Sequence, residues 1–240
     1  MTDFVLVHAA WHGGWEWRRV AERLRSRGHT VHTPTLTGCG ERSHLLTPDV
    51  GLETHITDVL NVFKWEQVKK TVLVGHSYSG FVITGVADRI PDRIAALVYM
   101  DAFVPSDGQS TFDLTPAWRL NEIIDLAARE GDGWYVPPHH AERWVADAVQ
   151  RAEVERLATS QPLRCLKDKL RLQGGIEKIG RRYYVLSSAF KPSPFWQFYD
   201  KYRSDPAWTV RTLPTMHDAM ISMPEEVTEI LLDAARKGNN

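Results

Sequence analysis

The chain of 240 residues has only two cysteines, Cys39 and Cys165, far apart in sequence. That excludes a disulfide framework or a zinc knuckle, both of which need several cysteines at short spacing. No charge of one sign dominates: 29 Lys and Arg stand against 30 Asp and Glu, a formal net charge of -1. Nothing in that balance recruits a nucleic acid or an anionic membrane. No apolar run approaches the roughly 20 residues of a membrane-spanning helix. The opening Met1-Thr2-Asp3-Phe4 lacks the basic start and apolar stretch of a secretory signal, so a cytoplasmic location is expected. Repeats, low-complexity tracts and dividing linkers are missing too. At 43% hydrophobic and 25% charged, the composition suits one compact domain.

Tryptophan, by contrast, is plentiful, with nine residues. Trp11, Trp118, Trp134, Trp144 and Trp196 lie outside the regular core pattern. They either fill core volume or line an apolar pocket, where flat rings give large contact area.

Short apolar runs alternate with amphipathic stretches, which predicts an α/β fold: a mostly parallel sheet of about six strands with helices on both faces. Strands are expected at Phe4–His8, Thr30–His32, Thr71–Val74, Ile94–Met100, Arg182–Leu186 and Trp208–Leu213. Helices are expected at Trp17–Arg27, Leu52–Phe63, Ser79–Arg89, Pro194–Tyr202 and Pro224–Arg236. Between about Pro105 and Gly180 the strand rhythm stops, and helical pieces rich in acidic, aromatic and proline residues take over. The expected organisation is a core of residues 1–104 and 181–240, with 105–180 inserted as a helical cap over one end of the sheet.

The sharpest local signal is Gly75-His76-Ser77-Tyr78-Ser79-Gly80 between the third strand and the following helix. A strand–turn–helix of this kind is a nucleophile elbow: the tight turn pushes the Ser77 hydroxyl outward, and small neighbours let strand and helix approach. The usual second glycine position holds Ser79, with glycine one step later. The helix N-terminus and the Tyr78 amide can stabilise negative charge beside the nucleophile. The order serine, acid, histidine then calls for a base after the last strand, and His217 in Met216-His217-Asp218-Ala219-Met220 supplies it. His8 and His12 are four apart, but at a strand end and without a third ligand, so no metal is expected. His139 and His140 read as an exposed loop pair.

The segment His8-Ala9-Ala10-Trp11-His12-Gly13-Gly14-Trp15 resembles the His-Gly-x-x-His-Gly-x-Trp pattern of the plant methylesterase and hydroxynitrile lyase group and its bacterial relatives, in the α/β-hydrolase superfamily. Thr35-Leu36-Thr37-Gly38 and Tyr99-Met100-Asp101-Ala102-Phe103-Val104-Pro105 extend the likeness. It covers nearly the whole chain, most closely up to about Gln109. The resemblance implies the backbone N–H of Ala10 as the second oxyanion donor, beside that of Tyr78. Ala9 stands where the pattern has glycine, and Glu16 where relatives often carry cysteine. In many members the acid follows the strand here represented by Tyr184 to Ser188, yet the continuation Ala189-Phe190-Lys191-Pro192-Ser193 has no carboxylate. Some α/β-hydrolases carry the acid at the end of the fourth strand, which is Asp101 here. Asp101 either orients His217 or caps local amides. Asp218 should diverge from the base it adjoins.

The resemblance implies a cofactor-free serine hydrolase that cleaves a small ester or carbamate through an acyl-serine. The narrowest expectation is the methyl carbamate of a benzimidazole. An amide remains an alternative. Hydroxynitrile lyase chemistry is disfavoured, because those lyases carry threonine at the position of Ala9 and lysine after the histidine. A non-catalytic binding protein would not need Ser77 and His217 intact. Trp11, Trp134, Tyr135, Phe190 and Trp196, with Tyr78, are the expected pocket walls for a small, partly aromatic substrate.

Overall fold

The structure is a computed structural model and describes residues 1–236. Its centre is β1 (Asp3–Val7), whose residues Phe4 to Val7 are fully buried. Burial on both faces explains the unbroken apolar run, which a half-exposed strand would not show. β2 (Thr30–His32) pairs on one side of β1, and β3 (Thr71–His76) on the other. β4 (Ile94–Met100) follows β3. The chain then builds a two-stranded antiparallel ribbon from β5 (Tyr135–Val136) and β6 (Gln161–Pro162) before returning to the main sheet with β7 (Arg182–Ser187) and β8 (Trp208–Leu213). The main sheet has the order β2-β1-β3-β4-β7-β8, and every pairing in it is parallel. The six strands match the expected ones to within a residue or two.

The order reverses between β1 and β3, so the carboxyl ends of these two strands flank the crevice where ligands of open parallel sheets bind. The principal helices are α1 (Arg18–Ser26), α2 (Leu52–Trp65), α3 (Ser79–Arg89), α4 (Thr111–Leu114), α5 (Ala117–Glu130), α6 (Ala148–Leu157), α7 (Leu163–Lys167), α8 (Trp196–Tyr202), α9 (Ala219–Ser222) and α10 (Pro224–Ala235). The helix expected at Trp17–Arg27 is α1, preceded by a 3₁₀ turn, Gly14–Trp17, that runs into it. α2 buries Leu52, Ile56, Val59 and Phe63 on one stripe, and packs against α3. α1 packs against α10. The β5–β6 ribbon was not legible in advance, because two residues per strand are too few to show alternation. No helix among the described residues is long and apolar enough to cross a membrane.

Three non-glycine residues at neighbouring strand ends have left-handed backbones: Trp11 (φ 66°) after β1, Ser77 (φ 56°) after β3 and Asp101 (φ 42°) after β4. Such conformations are strained for residues with a Cβ and persist only when the surroundings over-determine them. Backbone bonds do so here. Ser77 N–H donates to the Met100 carbonyl (3.2 Å), Asp101 N–H to Val185 (2.6 Å), and Phe103 N–H to Ser77 (3.2 Å). Ser79 stands at the elbow's second small position for a positive reason: its hydroxyl donates to the His8 carbonyl at 2.5 Å and ties β1 to α3.

Gly80, in the first turn of α3, leaves room for the Phe103 carbonyl, which a Cβ there would approach to 1.9 Å. An ordinary helical Gly→Ala change stabilises by about 0.5–1 kcal/mol. Gly80→Ala is expected to do the opposite and destabilise the fold by about 1–3 kcal/mol, as overpacking does. A thermal melt reads the sign; a midpoint at or above that of the unaltered protein would show that the approach is not tight.

Candidate active site

Ser77 is delivered by the bend between β3 and α3, His217 by the loop between β8 and α9, and Asp101 by the residue after β4. Ser77 and His217 line one cavity of about 500 Å³. The His217 Nδ1 lies 2.6 Å from Asp101 Oδ2, and Asp101 is fully buried. The other oxygen, Asp101 Oδ1, accepts the Ser187 N–H at 3.1 Å. The two alternatives expected for Asp101 are not exclusive: one oxygen faces the imidazole and the other caps an amide. The imidazole packs against Phe195 (ring centroids 5.2 Å, 8° between planes), Phe190 (4.7 Å) and His76 (4.4 Å). Burial, reinforced by the nearby His76, holds His217 well below 6.5. Burial also raises Asp101, to about 8, against the pull of the Ser187 amide. Groups this close lose their protons as a pair rather than singly.

The loop after β1 carries Ala10, which lines the cavity together with Tyr78. Neither residue's backbone N–H has a protein acceptor among the described residues. The Tyr78 ring points away, its hydroxyl 3.1 Å from His55 Nδ1. Ala9 N–H, by contrast, donates to Glu16 Oε2 at 3.1 Å, so a carboxylate holds the loop where the pattern has glycine.

Glu16 belongs to a buried ionic cluster behind the base. Its Oε1 lies 3.1 Å from His76 Nδ1, while His12 Nε2 lies 3.1 Å from Asp218 Oδ2. His12 Nδ1 is 2.8 Å from the Ala10 carbonyl. All four side chains are essentially inaccessible to solvent. Against the burial that disfavours its charge, Asp218 and Glu16 raise His12 to about 9. Glu16 likewise raises His76 despite burial. His12 lowers Asp218 although burial opposes it. Asp218 was expected to diverge from His217; it turns one oxygen to His12, yet a carboxylate oxygen stays within 4.8 Å of a His217 ring nitrogen. His8 is different: burial drives it down to about 3, and its Nε2 accepts the Leu36 N–H at 3.0 Å. His8 and His12 thus have separate partners. His76, His217 and Asp218 do bring donor atoms within 4.8 Å of one another, with one atom of each already engaged by Glu16, Asp101 and His12 respectively.

Of the expected walls, Trp11, Tyr78 and Phe190 line the cavity, as do Trp118 and Trp144. Trp134, Tyr135 and Trp196 do not. Trp134 and Tyr135 pack on each other at the β5–β6 ribbon (4.9 Å), and Trp196 packs on Tyr199 (5.6 Å) beneath the Lys191 ammonium. Aromatic type alone could not separate these uses. His139 is also not an exposed loop residue: it is half-buried, edge-on to Trp11 at 5.0 Å. Sequence reasoning missed Phe103, Ile123, Phe195 and Arg119 as cavity residues. Phe103 lies within the matched segment after β4 and carried the only available hint.

The alpha/beta hydrolase family pattern matches residues 4–230. The chain is 44% identical over 238 residues to the carbendazim hydrolyzing esterase of Nocardioides sp. (strain SG-4G), covering 96% of this chain and 98% of that protein. It is 28% identical over 251 residues to the pyrethroid hydrolase of Sphingobium wenxiniae, covering 98% and 88%. Among solved structures, an extracellular alpha/beta-hydrolase from a Paenibacillus species superposes with a TM-score of 0.86 at 26% identity, covering 99% of this chain and all of that one.

The ionic cluster makes a pH-dependent contribution to stability. Because the folded protein raises His12 from 6.5 to about 9, that contribution is complete below pH 6.5 and is lost as pH rises through 9. The unaltered protein is expected to melt progressively earlier over this interval. Asp218→Asn should melt lower throughout and lose most of that slope. Parallel pH profiles for the two proteins would contradict the charge assignment.

Proposed function

The chain belongs to the alpha/beta hydrolase family, and from that premise we propose a serine-dependent carboxylic ester hydrolase, cleaving small esters or carbamates, whose working groups are Ser77, His217 and Asp101. The observation that carries this reading is the 2.6 Å contact of His217 with buried Asp101 at a cavity that also contains the strained Ser77. The Asp101 carboxylate accepts a hydrogen bond from His217 Nδ1–H and so leaves Nε2 as the base. His217 takes the Ser77 hydroxyl proton as the oxygen attacks the carbonyl carbon. The amides of Ala10 and Tyr78 receive the negative charge of the tetrahedral intermediate. His217 then returns the proton to the departing alcohol or amine, leaving an acyl-serine. Water, deprotonated by the same imidazole, releases the acid and restores the hydroxyl. The acyl carrier is the protein itself, so the chemistry needs no cofactor.

Residues 105–180 act as the cap. Trp118, Arg119, Ile123 and Trp144 from this stretch form walls of the cavity opposite the strand ends. Aromatic walls and a relative that hydrolyses carbendazim favour a methyl carbamate on an aromatic amine as the substrate to try first. Lyase chemistry lacks its groups: Ala9 has no hydroxyl, and the residue after the base is Asp218, turned towards His12. Cys39 and Cys165 are free buried thiols, which fits a reducing, cytoplasmic compartment.

Ser77→Ala should lower hydrolysis of 4-nitrophenyl acetate and of a methyl carbamate by at least ~10³-fold with an unchanged melt. Asp101→Asn should cost about 10²- to 10⁴-fold, because the imidazole loses its orienting acceptor. Near-normal turnover by the Asn variant would remove Asp101 from the triad. The base works only after the Asp101–His217 pair has shed its proton. In the unaltered enzyme kcat/KM is therefore expected to climb from acid pH towards about 8.

A further inference from the structure

Arg119 stands in the first turn of α5 with only 9% of its surface exposed, in the wall of the cavity that holds Ser77 and His217. Its guanidinium lies over the Trp11 ring, 5.6 Å from the centroid, and Trp11 follows the amide of Ala10 directly. One of its five N–H donors is matched: Nη1 donates to Glu122 Oε2 at 2.8 Å. That same oxygen accepts from Arg143 Nη1 at 2.7 Å. A single carboxylate thus serves two guanidiniums, and among the described residues Nε and Nη2 of Arg119 have no protein acceptor. The other charged walls are Arg143, Lys191 and Glu142, so cations outnumber anions around the opening even with Glu122 counted. Neither Nε nor Nη2 of Arg119 is among the fully buried atoms that lack a partner, so these donors are open to the cavity and to an incoming acceptor. Burial lowers the pKa of Arg119, and its positive charge helps to depress His217.

We propose that Arg119 is a specificity-determining residue that binds a carboxylate on the non-reacting end of the substrate, so that the preferred substrates are aromatic monoesters carrying a second, free carboxylate. This rests on the ester-hydrolase reading of the same cavity. A carboxylate matches the planar donor fork, which an alkyl or neutral ester group cannot satisfy. The rings of Trp11, Trp118 and Trp144 supply flat contact for the aromatic spacer. The substrate then takes up the donors that the protein leaves open.

Monomethyl and dimethyl terephthalate test this, since they share a ring and a reacting methyl ester and differ only at the far carboxyl. The readout is the ratio of kcat/KM for the monoester to that for the diester. Arg119→Met should lower this ratio roughly 10- to 100-fold relative to the unaltered enzyme, mainly through KM, as loss of a charged hydrogen bond does. Arg119→Lys should restore part of it. A ratio that changes less than about twofold in a folded variant would overturn the proposal. A calorimetric titration of the unaltered enzyme needs no variant and no turnover: benzoate should bind at least about tenfold more tightly than benzamide, and less tightly as salt is raised. Equal binding of the two would overturn the assignment as well. Absence of turnover on both esters while benzoate still binds selectively would instead defeat the hydrolase reading and leave the anion site standing.

Discussion

A hydrogen bond of 2.6 Å between Asp101 and His217 joins residues 116 positions apart and sets the geometry of the site. It forms because β4, β7 and β8 are successive neighbours in a parallel sheet, so the residue after β4 and the loop after β8 emerge at the same end of the sheet. Asp101 can turn towards that loop only by adopting a left-handed backbone, held there by its N–H to the Val185 carbonyl. Trp11 and Ser77 adopt similar backbones at adjacent strand ends. Strain of roughly 1–3 kcal/mol at each such residue is sustained by a sheet whose central strands are buried on both faces. The same compact stack of β1, β3 and β4 that stabilises the fold thus aims the reacting groups.

Behind the imidazole, Glu16, His76, His12 and Asp218 form a second layer that couples charge to loop geometry. Glu16 holds the Ala9 amide and His76 at once, and His12 holds the Ala10 carbonyl and Asp218 at once. The loop that presents the Ala10 amide is therefore fixed by side chains on either side of it. Removing one partner from such a buried pair leaves an uncompensated charge, a loss of about 3–5 kcal/mol. Of these groups, His76 and His12 push His217 down while Asp218 pushes it up, and burial makes the larger contribution.

The sheet was legible because fully buried parallel strands read as short unbroken apolar runs, and the elbow because close approach of β3, α3 and the Phe103 carbonyl leaves no room for a Cβ at Gly75 or Gly80. The proposed base, His217, was legible from its position after the last strand. The proposed acid was harder, since the continuation Ala189-Phe190-Lys191-Pro192-Ser193 beyond β7 has no carboxylate where the resemblance leads one to expect it. Asp101, one strand over, reaches the same point and uses the Ser187 amide as its second partner. The walls were legible only in part. Trp11 and Phe190 were found, while Trp134, Tyr135 and Trp196 pack elsewhere, because an aromatic ring satisfies core, ribbon and pocket equally well. Arg119 left no trace, since an arginine in a first helical turn looks like any solvated surface charge until the folded chain places it in the cavity wall.

The central claim is that the Ser77 oxygen is the activated nucleophile. Incubation with a fluorophosphonate followed by peptide mass mapping reads it directly. The account predicts one phosphonyl adduct, on the peptide containing Ser77, formed far more slowly in His217→Ala. An adduct on another residue, or an enzyme that turns over esters while Ser77 stays unmodified, would contradict it.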